Sequence, residues 1–193
     1  MILNWLTAIL LLITSVSLLL NRDWRWSLGL LAIQYIGAFW LVQTSWPIVA
    51  ATAKLVTGWM ACAALGMTLL NIPPESPDEK SWMEGRLFRW FTAGLTAVTA
   101  FALAARGSEW LGIQLPVVWG GLLLIATGLV HISITIQPLR VIIGLLTVLS
   151  GFEIIYAAVE SSALVAAALA VVTLGLALAG AYMLVNPAGE ETK

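Results

Sequence analysis

The sequence predicts an all-α integral membrane protein with about seven transmembrane helices. Of its 193 residues, 61% are hydrophobic and only 10% are charged, and the mean hydropathy is +0.98, which is far from the averages of soluble domains. A helix needs about 20 apolar residues to cross a bilayer, and seven continuously apolar stretches of about that length occur, without the alternation of barrel strands. They form a single polytopic domain over 1–193 and cover residues 2–20, 25–43, 48–70, 88–105, 115–136, 139–159 and 162–185.

The distribution of charged residues supports these spans and predicts an orientation. Of the 19 Asp, Glu, Lys and Arg residues, 17 fall between the spans, at their ends or in the C-terminal tail, and Lys54 and Glu153 are the two buried exceptions. Lys and Arg concentrate in short cytoplasmic loops. One side of the predicted bilayer has only Arg106, whereas the other has Arg22, Arg25, Lys80, Arg86, Arg89, Arg140 and Lys193. This asymmetry predicts an external N-terminus and a cytoplasmic C-terminus.

The longest predicted connection is the cytoplasmic loop 71–87. Its prolines and alternating charges exclude a regular element in its first half, while "WMEGRLFRWF" has the composition of a short amphipathic surface helix. The loop is either a solvated connector or a docking site for a cytoplasmic partner.

An internal repeat is suggested by a shift of 115 residues. The shift aligns "RWSLGLL" with "RVIIGLL" and Asn71 with Asn186, although such matches arise easily in a chain rich in alanine and leucine. A duplication predicts two parallel three-helix repeats joined by a linking helix, as in some transporters.

Lys54 and Glu153 are the strongest candidates for a functional site. A charge near the bilayer centre costs at least about 2.5 to 3.5 kcal/mol on insertion scales, so an ionisable residue there is by default a functional candidate. At 1.5 Å per residue both lie in the outer half of the membrane at similar depth. They form either a proton or ion path or a buried pair that only fixes helix packing.

Several other polar residues are weaker candidates. His131, in the cytoplasmic half of the fifth span, is either a packing residue or a proton relay. Glu160 lies two turns from Glu153 on the same helix face and is expected to be solvated. Gln34 and Tyr35 of the second span are expected to join helices through hydrogen bonds in a polar network that also includes Arg140.

The sequence contains no pattern that predicts covalent chemistry. One histidine and one cysteine exclude a bis-histidine haem site and an iron–sulfur cluster within this chain. Walker, nucleophile-elbow and HExxH motifs do not occur. The net charge of −1 and the lack of a Lys/Arg run give no sign of nucleic-acid binding. We expect no cofactor and no catalysis by this chain alone.

Two long segments resemble a known family. "AKLVTGWMACAALGMTLLNIP" and "GLVHISITIQPLRVIIGLLTVLSGFEIIYAAVE" are similar to hydrogenase-4 component E, which is related to small membrane subunits of respiratory complex I and of Mrp-type cation/proton antiporters. Lys54, Arg140 and Gly144 match the family's early lysine in the third helix and its Arg-x-x-x-Gly run. The resemblance implies that the chain is part of a larger membrane complex, with Glu153 on a polar path shared between subunits.

The sequence also departs from the family pattern. Leu149 replaces the family's acid and Ser150 its asparagine, and Glu153 follows Gly151, four residues or about one helical turn after Leu149. The last span has no acid. These departures affect proton pumping by this chain more than a scaffold role.

Three functions therefore remain open. The first is a non-catalytic subunit of a hydrogenase-4, complex I or Mrp-like assembly in the cell membrane, in which Glu153 and Lys54 contribute to or tune proton or ion translocation. The second is a small stand-alone transporter, which should show Gly/Pro breaks within its helices, whereas Pro47, Pro116 and Pro138 lie near span ends. The third is a structural or assembly anchor.

Overall fold

The part of the chain that the structure describes folds into seven α-helices. The structure, a computed structural model, describes residues 2–21, 23–71, 86–160 and 162–186, and within these ranges it contains no strand. All seven helices are long and apolar enough to cross a membrane, which confirms the predicted fold class. The helices are α1 (Ile2–Leu20), α2 (Trp24–Gln43), α3 (Ile48–Leu70), α4 (Arg86–Leu111), α5 (Leu115–Ile134), α6 (Pro138–Val159) and α7 (Ala163–Val185).

The largest difference from the predicted spans is in α4. The sequence predicted a fourth span over 88–105, but the helix continues to Leu111, because Arg106 and Glu109 are polar without being helix breakers. Most of the predicted loop 71–87 lies outside the described residues. Of the predicted amphipathic helix, residues 82–85 lie outside them too, and residues 86–91 form the first turns of α4.

Arg89 corrects the prediction that Lys54 and Glu153 are the two buried charged residues. It lies three residues into α4 and is only 7% exposed. An arginine near a helix end can bury its aliphatic stem along apolar surface, which a hydropathy profile does not register.

Proline and glycine explain where several helices begin. Pro138 is the first residue of α6 and Pro116 the second of α5, where a missing N–H has no cost. The turn between α4 and α5 contains Gly112, whose φ of +66° lies in the left-handed region that favours glycine.

The helices alternate in direction, and the two ends of the bundle are each held by hydrogen bonds. We call them the Pro47 end, where α3 begins, and the Arg140 end, where α6 begins. At the Pro47 end, Trp46 Nε1 donates to the backbone oxygen of Glu160 at 2.8 Å. At the Arg140 end, Arg140 Nη2 donates to the backbone oxygen of Asn21 at 3.4 Å. These bonds join residues that are far apart in the chain.

Glycines allow α5 and α6 to pack closely along their length. A Cβ at Gly151 would lie 2.5 Å from the backbone oxygen of Gly121, and one at Gly128 would lie 2.7 Å from that of Gly144. Small residues of this kind let membrane helices approach to backbone contact. This contact fixes the rotation of α6 and therefore the direction in which its polar face points.

The helix boundaries follow the predicted repeat. The boundaries of α5, α6 and α7 follow those of α1, α2 and α3 by 113 to 116 residues, and the offset between α3 and α7 is 115 at both ends. Each helix of the first triplet also contacts its counterpart: α1 packs against α5, α2 against α6 and α3 against α7. Duplication of the sequence remains a prediction that these boundaries fit.

Candidate functional site

A layer of polar side chains lies between two apolar clusters of the bundle. The cluster nearer the Pro47 end includes Leu11, Leu41 and Ile154, and the one nearer the Arg140 end includes Leu18 and Ile143. We call the residues between them the polar layer. They are buried, come from four helices and are Ser15, Gln34, Lys54, Ser150 and Glu153.

The centre of this layer is an ion pair between Lys54 Nζ and a carboxylate oxygen of Glu153. The two residues are 7% and 5% exposed. Lys54 lies six residues after the start of α3 and Glu153 six residues before the end of α6. At 1.5 Å per residue both are about 9 Å from the Pro47 end, so the structure brings together two residues that the sequence placed at similar depth.

Two side chains complete the surroundings of Lys54. Its ammonium group donates to Ser150 Oγ at 3.3 Å and lies 5.5 Å from the centroid of the Tyr35 ring. The ammonium group is therefore stabilised by a carboxylate, a hydroxyl and an aromatic face, which together offset its loss of hydration.

Glycine on α3 creates the space for Tyr35. Gly58 lies one turn from Lys54, and a Cβ at Gly58 would come within 2.4 Å of the Tyr35 ring. The ring can therefore lie directly against the α3 backbone. On α6, Gly151 packs against α5, so Ser150 and Glu153 remain directed toward α2 and α3.

A cavity of about 400 Å³ lies beside the ion pair, between α3 and α7. Lys54 and Glu153 both line it, and Trp46 and Pro47 lie at its Pro47 side. Most of the remaining wall consists of small apolar residues of α3 and α7. The ion pair therefore lies at the boundary between the packed core and an open space.

The other candidate residues occupy separate positions. Gln34 is 1% exposed, and neither its amide nitrogen nor its amide oxygen has a hydrogen-bond partner in the described part of the chain. His131 is buried three residues before the end of α5, toward the Arg140 end. Glu160 is exposed at the Pro47 end. The structure therefore joins Glu153, Lys54 and Tyr35 and keeps His131, Arg140 and Glu160 apart from them.

The sequence analysis did not identify Ser150 and Gly58 as parts of the site. Ser150 precedes Glu153 by three residues and Gly58 follows Lys54 by four, which places each on the same helix face as its charged neighbour. This spacing was the available signal. The cavity had no comparable signal, because alanines occur throughout α3 and α7.

A proton can move between the two members of the ion pair without a change in the net charge of the pair. A hydrogen-bonded ammonium and carboxylate exchange a proton to become an amine and a carboxylic acid, and both forms of the pair are neutral overall. Among the described residues, no group of His, Cys, Asp and Glu could hold a metal ion. Lys54 and Glu153 can exchange a proton with each other and form hydrogen bonds.

Comparison with protein-family models, with curated proteins and with solved structures finds no match to this chain.

Proposed function

We propose that this protein is a non-catalytic subunit of a multi-subunit membrane complex of the hydrogenase-4, complex I or Mrp-like kind, and that Lys54 and Glu153 take part in or tune proton or ion translocation. The observation that carries the proposal is the buried ion pair, because intramembrane ionisable residues are costly and mark ion and proton pathways. The resemblance of the sequence to hydrogenase-4 component E supports the kind of complex.

The polar layer supports the translocation role over a purely structural one. A pair that only fixes helix packing needs no further polar groups around it. Here Gln34 and Ser15 add buried amide and hydroxyl atoms without a hydrogen-bond partner in the described residues. Buried polar atoms in proteins bind ordered water, through which protons move between ionisable groups.

In the proposed complex the protein lies in the cell membrane with its C-terminus in the cytoplasm, and its partners are larger membrane subunits. The other side of the path comes from those partners.

The test measures proton or ion translocation by membrane vesicles that contain the intact complex. The composition of the complex is verified separately, after its isolation in mild detergent. A group that passes a proton contributes about 100-fold or more to a rate, so Glu153→Gln should lower translocation by at least about tenfold while the complex stays assembled. Glu109→Gln, at an exposed position of α4, is the matched control.

Two results would overturn the proposal. Full translocation by an intact complex carrying both Lys54→Met and Glu153→Gln would indicate a structural anchor. Purification of a stable chain without any larger subunit, also from membranes solubilised in several mild detergents, would exclude the subunit role and favour a stand-alone protein.

A further inference from the structure

The cavity beside the ion pair lies where small side chains of α3 and α7 face each other. Toward the Arg140 end α7 packs closely against α6, since a Cβ at Gly180 would lie 2.7 Å from the Ile142 side chain. Toward the Pro47 end the facing residues are alanines, which are too short to fill the space between the backbones. They are Ala50 and Ala53 on α3 and Ala163, Ala166, Ala167 and Ala170 on α7.

The cavity has apolar walls and one polar end. Besides Lys54 and Glu153, its lining includes the hydroxyl-bearing Thr57, and that hydroxyl already donates to backbone oxygens of its own helix. The ion pair therefore provides the polar contacts that remain for a ligand. A volume of about 400 Å³ lies within the range of small-molecule sites, roughly 300 to 1,000 Å³. Apolar walls with a single polar end suit an amphiphile.

The charge of the site selects a neutral polar group. Lys54 and Glu153 balance each other, so a charged head group would leave one uncompensated charge buried among apolar side chains. A neutral carbonyl or hydroxyl avoids this cost. Lys54 has three N–H donors, of which Glu153 and Ser150 accept two, and the carboxylate can accept a hydrogen bond from a hydroxyl.

The depth of the pair excludes a phospholipid head group. The pair lies about 9 Å inside the Pro47 end of the helices, below the level at which zwitterionic head groups meet water. A single carbonyl or hydroxyl group can enter the hydrocarbon region at much lower cost.

We infer that the cavity binds a neutral lipid of the bilayer, with one alkyl or prenyl chain along the alanine walls and a carbonyl or hydroxyl group hydrogen-bonded to Lys54 or Glu153. This site shares the ion pair with the proposed function but does not require translocation. Several of the lining residues come from α7, which has largely exposed side chains in the described structure.

The test uses three photoreactive probes of equal chain length, each with a diazirine in the chain, added to native membranes that contain the full-length protein. The probes are hexadecanol, hexadecanoic acid and hexadecane. We expect the alcohol to label the α3 and α7 walls, and excess unlabelled hexadecanol to reduce this labelling by at least about tenfold, which corresponds to about 1.4 kcal/mol of binding free energy. Equal labelling by hexadecane would indicate ordinary lipid chains and overturn the proposal, and stronger labelling by the acid would overturn the argument from charge.

Variants test the walls and the polar end separately. Ala166→Leu should reduce alcohol labelling by about tenfold, whereas Ala168→Leu, on a part of α7 that does not line the cavity, should leave it unchanged. The double variant Lys54→Met/Glu153→Leu removes the hydrogen-bonding groups of the ion pair. It should reduce alcohol labelling to the level of hexadecane, and unchanged labelling would overturn the proposal.

Two further outcomes separate this inference from its alternatives. Labelling of the walls in the isolated chain but not in native membranes would mean that another polypeptide covers the cavity, and would overturn the proposal. Because Ala166→Leu keeps the ion pair, loss of labelling together with normal translocation supports the lipid site independently of the transport role. Loss of translocation by Glu153→Gln bears only on the proposed function.

Discussion

Two helix contacts on either side of Glu153 are built from small residues in opposite ways. Between α5 and α6, glycines bring the backbones together, as at Gly121 and Gly151. Between α3 and α7, alanines face each other at the Pro47 end and leave a cavity of about 400 Å³. Small residues therefore do not by themselves predict tight packing in a membrane protein. What matters is whether the neighbouring residues allow the backbones to close the distance.

The two contacts have complementary consequences for the ion pair. The glycine contact fixes the rotation of α6, so Glu153 points at Lys54 rather than at lipid. The alanine contact leaves one side of the same pair accessible. The four predictions below concern the ion pair, the two contacts and the hydrogen bond at the Pro47 end, and they run from the largest expected effect to the smallest.

The largest effect is expected at the ion pair, where the two contacts meet. Lys54→Met leaves Glu153 buried without its cation, which typically costs about 3 to 5 kcal/mol of unfolding free energy. The double variant Lys54→Met/Glu153→Gln should lose less than this, because no charge remains buried. Unfolding in mixed micelles measures the free energy of unfolding of both variants. Arg106→Met, at an exposed position, is the control, and a double variant less stable than Lys54→Met would contradict the expectation.

The glycine contact should tolerate no added methyl group. Gly151→Ala places a Cβ 2.5 Å from the Gly121 oxygen and should lower the free energy of unfolding by about 1 to 3 kcal/mol. Gly175→Ala is the matched control, since a Cβ there meets nothing within 4 Å, and higher helix propensity should leave it equally or more stable. Equal behaviour of the two variants in thermal unfolding would show that the α5–α6 contact is looser than described.

The hydrogen bond that joins the two connections at the Pro47 end should have an intermediate effect. Trp46→Phe keeps most of the aromatic surface but removes the N–H that donates to the Glu160 oxygen. The expected loss is about 0.5 to 1.5 kcal/mol of unfolding free energy. Trp110→Phe, at an 87% exposed position, should change stability less, and the reverse order in thermal unfolding would contradict this role.

The smallest effect is expected in the alanine contact. Ala166→Leu extends into the cavity rather than into a packed core, so stability should change by less than about 0.5 kcal/mol, as for a surface substitution. Ala168→Leu should change stability by a similarly small amount. If the thermal unfolding temperature of Ala166→Leu were as low as that of Gly151→Ala, the alanine walls would be closed against each other. The contrast between the two contacts would then disappear.

The candidate site could be predicted only in part. Counting residues from the span ends placed Lys54 and Glu153 at one depth, because the rise of a helix per residue is constant. Counting residues did not identify the side chains that contact the ion pair. Ser150 is 96 residues from Lys54 in the chain, and Tyr35 reaches the pair only because Gly58 lacks a side chain.

For His131 and Arg89, the sequence predicted the position along the helix but not the surroundings of the side chain. The composition of α5 and α4 placed each residue near a span end, and that placement agrees with the structure. The burial of Arg89 depends on the surface beside it, which a single helix does not define.

The sequence by itself determined the seven helices of this protein and the depth of its ionisable residues, because both follow from the transfer free energy of each residue and the fixed helical rise. Only the tertiary structure decided that Glu153 faces Lys54, that the α5 and α6 backbones touch, and that a cavity opens beside the pair. Those properties depend on the rotation and separation of helices, which arise from contacts between residues far apart in the chain.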